Sequence, residues 1–243
     1  MVQENIVSDD LAAMELKVGL KDRFVESYIA KEEFNELRTN LLFCGDDITT
    51  IVITSCLPGE GKSTTSMELC KSLSELGKQV LFIDADLRRS MILPYYLKEK
   101  KQKKQSIKGL GHFLSGQAQL SEIIFSTQYP GLNLIFAGHC PPNPVELLSG
   151  DRFRQLITYG KEKFDYVIVD APPIGSVVDS AVIAAQCDGI IFVISVGKIK
   201  VKMLLDAKQQ LEKSRCRILG TVVVGANRKH SGYYKKYDQY YRK

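Results

Sequence analysis

The segment PGEGKST (58–64) constrains the fold of this chain more than any other feature. It follows a short β-branched apolar run, TIVITS (50–55), and lies at the start of a helical stretch, GKSTTSMELCKSLSELG (61–77). A glycine-rich turn between a strand and a helix directs backbone N–H groups and the positive end of the helix dipole towards an anion. This context predicts a phosphate-binding P-loop.

The loop supplies the predicted nucleotide-binding residues, and two of them carry specific chemistry. Lys62 is expected to reach the β- and γ-phosphates of a nucleotide, and the hydroxyl of Ser63 is expected to bind Mg²⁺. The common pattern, GxxxxGK[ST], has glycine where this chain has Cys56, so the loop is a variant. The predicted set is Pro58, Gly59, Glu60, Gly61, Lys62, Ser63 and Thr64.

Strand-like and helix-like stretches alternate along the rest of the chain. Apolar runs without alternation are typical of strands that are buried on both faces, as in a parallel sheet. We therefore predict an α/β fold, a P-loop NTPase-like, doubly wound and mainly parallel sheet flanked by helices. The further strand-like runs are 79–86, 132–138, 166–173, 189–196 and 218–225, and the helical stretches include 31–43, 151–163, 176–187 and 200–213.

Length and composition fit one such domain. The chain has 243 residues, of which 44% are hydrophobic, and no stretch approaches the roughly 20 apolar residues of a membrane span. Six scattered cysteines without a CxxC pair argue against a zinc site or a disulfide framework and favour a cytoplasmic protein. We predict an N-terminal arm (1–31), a P-loop domain (32–227) and a flexible tail (228–243).

Carboxylates follow two of the predicted strands. Asp84 and Asp86 lie at the end of VLFIDADLR (80–88), and Asp170 lies in YVIVDAPP (166–173). In an open parallel sheet, ligands bind beyond the carboxyl ends of the strands. Oxygen ligands at that edge suit the Mg²⁺ of a Mg-nucleotide, and a spare carboxylate can accept a proton. The sequence therefore predicts ATP and Mg²⁺ as cofactors.

Two basic stretches stand out, and one is rich in tyrosine. KEKKQKKQSIK (98–108) is either a solvated loop or a contact with an anionic surface. Residues 228–243 contain six Lys or Arg and one Asp. Each phosphotyrosine adds about −1.5 to −2 charge, so phosphorylation would cancel or reverse the charge of this segment and act as an electrostatic switch. The five tyrosines of its closing stretch lack apolar neighbours: Tyr233, Tyr234, Tyr237, Tyr240 and Tyr241.

The motifs together resemble those of bacterial tyrosine kinases (BY-kinases). PGEGKST, FIDADLR and VIVDAPP are similar to the Walker A, Walker A′ and Walker B motifs of that family. PPNPVELLSGDRF (141–153) matches a further family segment, and the terminal tyrosine cluster is also similar. More narrowly, the chain resembles the cytoplasmic kinase component of capsular or exopolysaccharide synthesis systems in Gram-positive bacteria.

The resemblance implies an ATP-dependent tyrosine autokinase that phosphorylates its own tyrosine cluster between subunits. Lys62, Asp84 and Asp86 match the catalytic positions, and Ser63, Asp86 and Asp170 match the metal-binding positions. One Walker A′ aspartate is expected to act on the incoming tyrosine hydroxyl. Spacing leaves the choice between Asp84 and Asp86 open, with Asp84 favoured.

The resemblance also implies partners. They are a transmembrane, polysaccharide co-polymerase-like adaptor that activates the kinase, a cognate protein tyrosine phosphatase, and further copies of the chain in a homo-oligomer such as a ring. No nucleic-acid partner is expected, and the protein is expected at the inner face of the cell membrane. The family's ring-contact pattern, ExxRxxR, corresponds to Glu32, Asn35 and Arg38, with asparagine at the middle position.

Two other functions remain open at this point. The first is a MinD/ParA-like Mg-ATPase that acts as a nucleotide-driven dimer switch. The signature lysine of that class corresponds to Leu57 here, and Arg88 and the tyrosine cluster favour the kinase. The second is a non-enzymatic module with a degenerate nucleotide site, against which the intact Lys62, Ser63 and aspartates argue.

Overall fold

A seven-stranded sheet lies at the centre of the chain. The computed structural model describes residues 16–21, 28–97 and 107–226. The strand order in the sheet is β3-β4-β2-β5-β1-β6-β7. The strands are β1 (Thr50–Ser55), β2 (Val80–Asp84), β3 (Ile124–Ser126), β4 (Leu132–Ile135), β5 (Tyr166–Asp170), β6 (Gly189–Ser195) and β7 (Arg217–Val224).

Eight α-helices accompany the strands within the described ranges. A short 3-10 helix, Leu120–Glu122, precedes β3. The α-helices are α1 (Tyr28–Leu42), α2 (Lys62–Glu75), α3 (Ile92–Tyr96), α4 (Leu110–Leu114), α5 (Pro144–Ser149), α6 (Asp151–Lys163), α7 (Asp179–Ala184) and α8 (Val201–Glu212).

The predicted parallel sheet is confirmed. Across the sheet, in the order β4-β2-β5-β1-β6-β7, every pair of neighbouring strands is parallel. At one edge, β3 pairs antiparallel with β4. Every residue of β1 and β2 is buried. Successive side chains of a strand point to opposite faces, so β1 contributes to both layers: Val52 belongs to one core cluster, and Ile51 and Ile53 to the other.

The two long helices nearest the phosphate loop are joined by polar contacts. Arg38 of α1 donates through Nη1 to the Ser72 carbonyl oxygen of α2 at 2.7 Å and to Ser72 Oγ at 3.1 Å. Ser72 Oγ in turn lies 3.2 Å from Asn35 Oδ1. The side chains at the second and third positions of the ring-contact pattern therefore engage α2 of their own chain.

Part of the predicted arm packs on the domain. Val18 and Leu20 are buried, and the Val18 amide donates to the Ser126 carbonyl oxygen at 2.9 Å. Residues 1–15 and 22–27 of the arm, 98–106 of the basic run and 227–243 at the tyrosine cluster lie outside the described residues. The helices in the described ranges include none with the length and apolar character of a membrane span.

Helix α7 is shorter than the predicted stretch 176–187, for a local reason. Pro172 and Pro173 follow β5, and the amides of Ser176 and Val177 donate to the Pro173 carbonyl oxygen in a turn. The helix therefore begins at Asp179. Strand β3 and the short helices α3, α4 and α5 were not among the predicted elements, because each has six residues or fewer and shows too little periodicity to be distinguished from a loop.

Candidate active site

A cleft of about 710 Å³ lies where the P-loop meets the carboxyl ends of the central strands. This is the edge at which open parallel sheets bind ligands. Six of the predicted nucleotide-binding residues and the predicted catalytic residue Asp86 line it. The lining consists of Pro58, Gly59, Gly61, Lys62, Ser63, Thr64, Asp86, Arg88, Arg89, Met91, Ile92, Tyr95, Tyr96, Pro172, Pro173, Ser176 and Val177.

Glycines shape the loop at two positions. Gly59 and Gly61 have φ angles of 76° and 97°, a region that side-chain-bearing residues rarely adopt. Gly61 directly precedes α2, so the N-terminus of that helix opens on the cleft. A β-carbon at Gly61 would lie 3.4 Å from both methyl carbons of Val224, at the end of β7. The last strand thus packs against the phosphate loop.

Glu60 braces the loop through its side chain. The residue is 1% exposed, and its Oε2 accepts a hydrogen bond of 2.7 Å from the Leu57 amide. Its Oε1 accepts one of 3.1 Å from the Ser195 amide at the end of β6. Lys198 adds a bond of 2.7 Å from Nζ to the Gly59 carbonyl oxygen. The Glu60 carboxylate is therefore used within the protein, although the residue belongs to the predicted nucleotide-binding set.

Cys56 occupies the variant position of the loop without strain. Among the described residues, Arg215 is the only non-glycine residue with a positive φ, so position 56 has no conformational need for glycine. The thiol is buried and donates to the Met203 carbonyl oxygen at 3.4 Å. Burial, with the nearby charge of Glu60, raises the pKa of this thiol. Cys56 is therefore a packing residue that links the loop to α8.

Lys62 lies between two carboxylates. Its Nζ is 3.3 Å from Asp86 Oδ2, 3.4 Å from Asp170 Oδ2 and 3.2 Å from Ser63 Oγ. Burial alone would lower the pKa of Lys62, but Asp170 and Asp86 together raise it above its ordinary value. The structure thus places Lys62, Ser63, Asp86 and Asp170 together, as the sequence predicted.

Asp170 is held from its other side by Ser66. Ser66 Oγ donates to Asp170 Oδ1 at 3.0 Å, and both residues are buried. Burial raises the pKa of Asp170, although Lys62 opposes the shift. Ser66 was not predicted. It lies one helical turn after Lys62, on the same face of α2, and that spacing was the available signal.

Asp84 is the most enclosed of the three aspartates. It is 0% exposed and is absent from the lining of the cleft. Ser90 donates a hydrogen bond to its Oδ2, and the Asp86 amide lies 3.3 Å from its Oδ1. Burial and the charge of Asp170 raise the pKa of Asp84 to about 8. In this conformation Asp86, rather than Asp84, is accessible from the cleft.

The residues present fit a Mg-nucleotide. The glycine turn and the α2 N-terminus suit phosphates, and Ser63, Asp86 and Asp170 offer the oxygen donors that Mg²⁺ prefers. Within the described ranges, no three acidic, histidine or cysteine side chains form a metal-binding group by themselves. Hydroxyl, water and phosphate oxygens would therefore complete the coordination, as is usual for this ion.

The tyrosine cluster and Asn227, which the sequence suggested near the adenine region, lie outside the described residues. The described chain ends at Ala226, two residues after Val224, whose side chain lies against Gly61 of the P-loop.

Known proteins with similar sequences identify the family of this chain. A family model described as an AAA domain matches residues 48–214. Tyrosine-protein kinase CpsD of Streptococcus agalactiae is 43% identical over 197 residues, which are 81% of this chain and 84% of CpsD. The chain belongs to the bacterial tyrosine-protein kinases.

Further relatives differ in total length and in their sequence identity to this chain. Tyrosine-protein kinase ptk of Acinetobacter johnsonii is 35% identical over 208 residues, which are 84% of this chain and 27% of ptk. The kinase domain of Escherichia coli tyrosine kinase ETK superposes with a TM-score of 0.72 at 32% identity, covering 82% of this chain and 78% of that one.

The septum site-determining protein MinD from Pyrococcus horikoshii, complexed with Mg-ADP, gives a TM-score of 0.57 at 22% identity. The match covers 79% of this chain and 76% of that structure. MinD is therefore a distant relation that shares the fold of this chain.

Proposed function

We propose that this kinase transfers phosphate from ATP to tyrosines of its own terminal cluster, between subunits, and thereby regulates capsular or exopolysaccharide synthesis. The observation that carries the proposal is Lys62, held at 3.3 and 3.4 Å from Asp86 and Asp170 beside a P-loop, in a chain that belongs to the tyrosine-protein kinases. The proposed acceptors are the five tyrosines of residues 233–241.

The P-loop would hold the phosphates of ATP, with Lys62 neutralising charge on the β- and γ-phosphates. In the transfer, the tyrosine oxygen forms a bond to the γ-phosphorus, the bond to the ADP oxygen breaks, and the phenolic proton moves to a carboxylate. Mg²⁺, held by Ser63, Asp86 and Asp170, would supply further neutralisation of phosphate charge. Positioning and charge neutralisation are the larger contributions to such a reaction.

The two Walker A′ aspartates differ in their accessibility from the cleft, and this difference supports different roles for them. A base must come within hydrogen-bond reach of the proton that it accepts. Asp86 lines the cleft, whereas Asp84 is enclosed behind it. We infer that Asp86 meets the acceptor hydroxyl or the metal, and that Asp84 tunes the charge around Lys62 and Asp170.

The partners and location are part of the proposal. The match covers only 27% of ptk, so that relative carries a large additional portion in the same polypeptide. We infer that a transmembrane adaptor supplies an activating segment at the inner face of the membrane, and that a cognate phosphatase resets the tyrosines. Assembly into a homo-oligomer would bring the tail of one subunit to the site of another.

Phosphotyrosine immunoblotting of the tagged chain, expressed in its own cells where its partners are present, tests the proposal. The wild type should be labelled, whereas Lys62→Met and a chain ending at residue 227 should not. ATP hydrolysis by the purified wild type without any tyrosine label in cells would favour the MinD-like alternative. The absence of both ATP hydrolysis and tyrosine label would favour a non-enzymatic module.

A further inference from the structure

Arg88 is fixed at the rim of the cleft by an aspartate outside it. Its Nε donates to Asp179 Oδ2 at 2.9 Å, and its Nη2 donates to Asp179 Oδ1 at 3.3 Å. The two bonds engage one side of the planar guanidinium and fix its orientation. Arg88 lines the cleft, whereas Asp179, the first residue of α7, does not.

The two partners differ sharply in exposure. The Asp179 side chain is 1% exposed, whereas that of Arg88 is 42% exposed. Within the described part of the chain, both side-chain hydrogen bonds of the Asp179 carboxylate come from Arg88. A buried carboxylate is costly unless it is paired, so Asp179 strongly favours the conformation in which Arg88 stays in place. The exposed half of the pair faces the cleft.

The orientation leaves hydrogen-bonding capacity for a ligand. A guanidinium has five N–H donors, of which Asp179 receives two, so about three remain. Planar guanidinium groups bind phosphoryl oxygens particularly well. The site also has a charge imbalance, because the carboxylates of Asp86 and Asp170 share one buried cation, Lys62. A phosphoryl group entering the cleft would therefore benefit from a second cation.

We propose that Asp179 is a positioning residue that holds Arg88 over the cleft, and that Arg88 binds a phosphoryl group there. The inference deepens the proposed function and rests on it for the identity of the reaction. The phosphoryl group is either the γ-phosphate of ATP or the phosphate of the phosphotyrosine product. The two sources share the same chemistry and are separated by experiment.

Nucleotide binding provides a readout that does not depend on kinase activity. Calorimetry with Mg-ATP and Mg-ADP should show that Arg88→Ala weakens ATP binding by about 10- to 100-fold and ADP binding by less than 3-fold, the loss expected for one or two charge-assisted hydrogen bonds. If the phosphotyrosine phosphate is the ligand, nucleotide binding stays unchanged and inhibition by free phosphotyrosine is lost instead. If neither changes, the proposal is overturned.

The part played by Asp179 is tested through Arg88. Asp179→Asn should weaken the same binding step by about 3- to 10-fold in the wild-type background and have no further effect on Arg88→Ala, because it acts through that residue. Asp179→Glu should restore part of the loss. A merely structural role would produce the same loss in both backgrounds, and that result would contradict the assignment.

Asp188→Asn is the matched control for destabilisation. Asp188 is a partly buried, hydrogen-bonded aspartate, and it contacts Thr49, Thr50 and Lys161, away from the residues that line the cleft. It should lower stability without changing the ratio of ATP to ADP affinity. The control also separates two failures. Absence of tyrosine label in the wild type would refute the proposed function, while the nucleotide measurements would still decide the role of Arg88.

Discussion

At the residue scale, the site concentrates negative charge around one ammonium group. Lys62 lies within 3.4 Å of Asp86 and Asp170, and Asp84 lies enclosed beside them. Buried carboxylates without a partner are strongly disfavoured, so Lys62 stabilises the pocket before any nucleotide arrives. Entry of phosphates and a metal would compete for the same groups.

The two Walker A′ aspartates should therefore respond differently to substitution. Asp86→Asn should reduce tyrosine phosphorylation by about 10²- to 10⁴-fold, because the accessible carboxylate is lost. Asp84→Asn should reduce it less, because Asp84 does not line the cleft. The rates are measured by phosphotyrosine immunoblotting with Mg-ATP under activating conditions. A greater loss for Asp84→Asn than for Asp86→Asn would show that Asp84 is the base, the choice that the sequence analysis favours.

Asp188 offers a prediction about stability and pH. Its Oδ2 accepts hydrogen bonds from the amides of Thr49 at 3.2 Å and Thr50 at 2.9 Å, and from both their hydroxyls. Partial burial would raise the pKa of Asp188, but the bonds from Lys161 and Thr50 hold it below its ordinary value. Replacement by Asn should cost about 2 kcal/mol of unfolding free energy at pH 7.

The cost should depend on pH with a definite sign. Because the folded pKa of Asp188 is depressed, its charge contributes stability above the unfolded pKa of about 4, and the contribution is lost as pH falls through the folded value. Urea unfolding at pH 7 and pH 3 should show the difference between the wild type and Asp188→Asn shrinking in acid. A constant difference would contradict the charge-based account.

At the element scale, the contact between α1 and α2 bears on assembly. Arg38 and Asn35 occupy two positions of the ring-contact pattern, yet both bond to Ser72 of the same chain. An asparagine, shorter than the usual arginine, suits this internal contact. Loss of Arg38 should therefore affect the folded subunit as well as any oligomer.

Removing the Ser72 hydroxyl tests this contact. Ser72→Ala should lower the unfolding free energy by about 1 kcal/mol, because Arg38 and Asn35 each lose a hydrogen-bond partner. Thr39→Ala is a matched control on α1, since within the described ranges that exposed hydroxyl bonds only inside its own helix, to the Asn35 carbonyl oxygen. Denaturant unfolding checks both variants. Equal effects would mean that the contact contributes nothing specific.

The turn before α2 provides a second test at this scale. Gly61→Ala should cost about 1–2 kcal/mol, because its φ of 97° disfavours a β-carbon. It should also weaken ATP binding if the loop relaxes. Gly220→Ala is the control, since that glycine has an unexceptional φ and nothing within 4 Å of the added carbon. Thermal unfolding measures the stability of both variants, and calorimetry measures their ATP affinity. Equal losses in the two variants would contradict the assigned loop geometry.

The fold was predictable where a strand is buried along its whole length and therefore forms a continuous run of apolar residues in the sequence. β1, β5 and β6 are continuous apolar runs, and their predicted positions match the structure within a few residues. Lys62, Ser63, Asp86 and Asp170 were found because motif position and strand ends bring them together. The Arg88–Asp179 pair was not, because its partners are 91 positions apart and meet only through the fold. The hydrogen bond between Glu60 and the Ser195 amide was not predicted for the same reason.

At the scale of the whole molecule, the phosphate loop lies close to the end of the described chain. Val224 contacts the P-loop glycine, and the chain leaves the described region two residues later. About fourteen residues from Arg228 to Tyr241 could extend at most about 45–50 Å. In the proposed homo-oligomer, a segment of that reach would allow its tyrosines to meet the cleft of a neighbouring subunit.

A complementation assay tests the central claim, that one subunit's P-loop phosphorylates the tail of another. The full-length Lys62→Met chain has acceptors but no active site, and the wild-type chain ending at residue 227 has a site but no acceptors. Co-expressed with distinct tags in their own cells, the pair should place phosphotyrosine on the Lys62→Met chain, although neither is labelled alone. An unlabelled mixture beside a labelled wild type would contradict transfer between subunits.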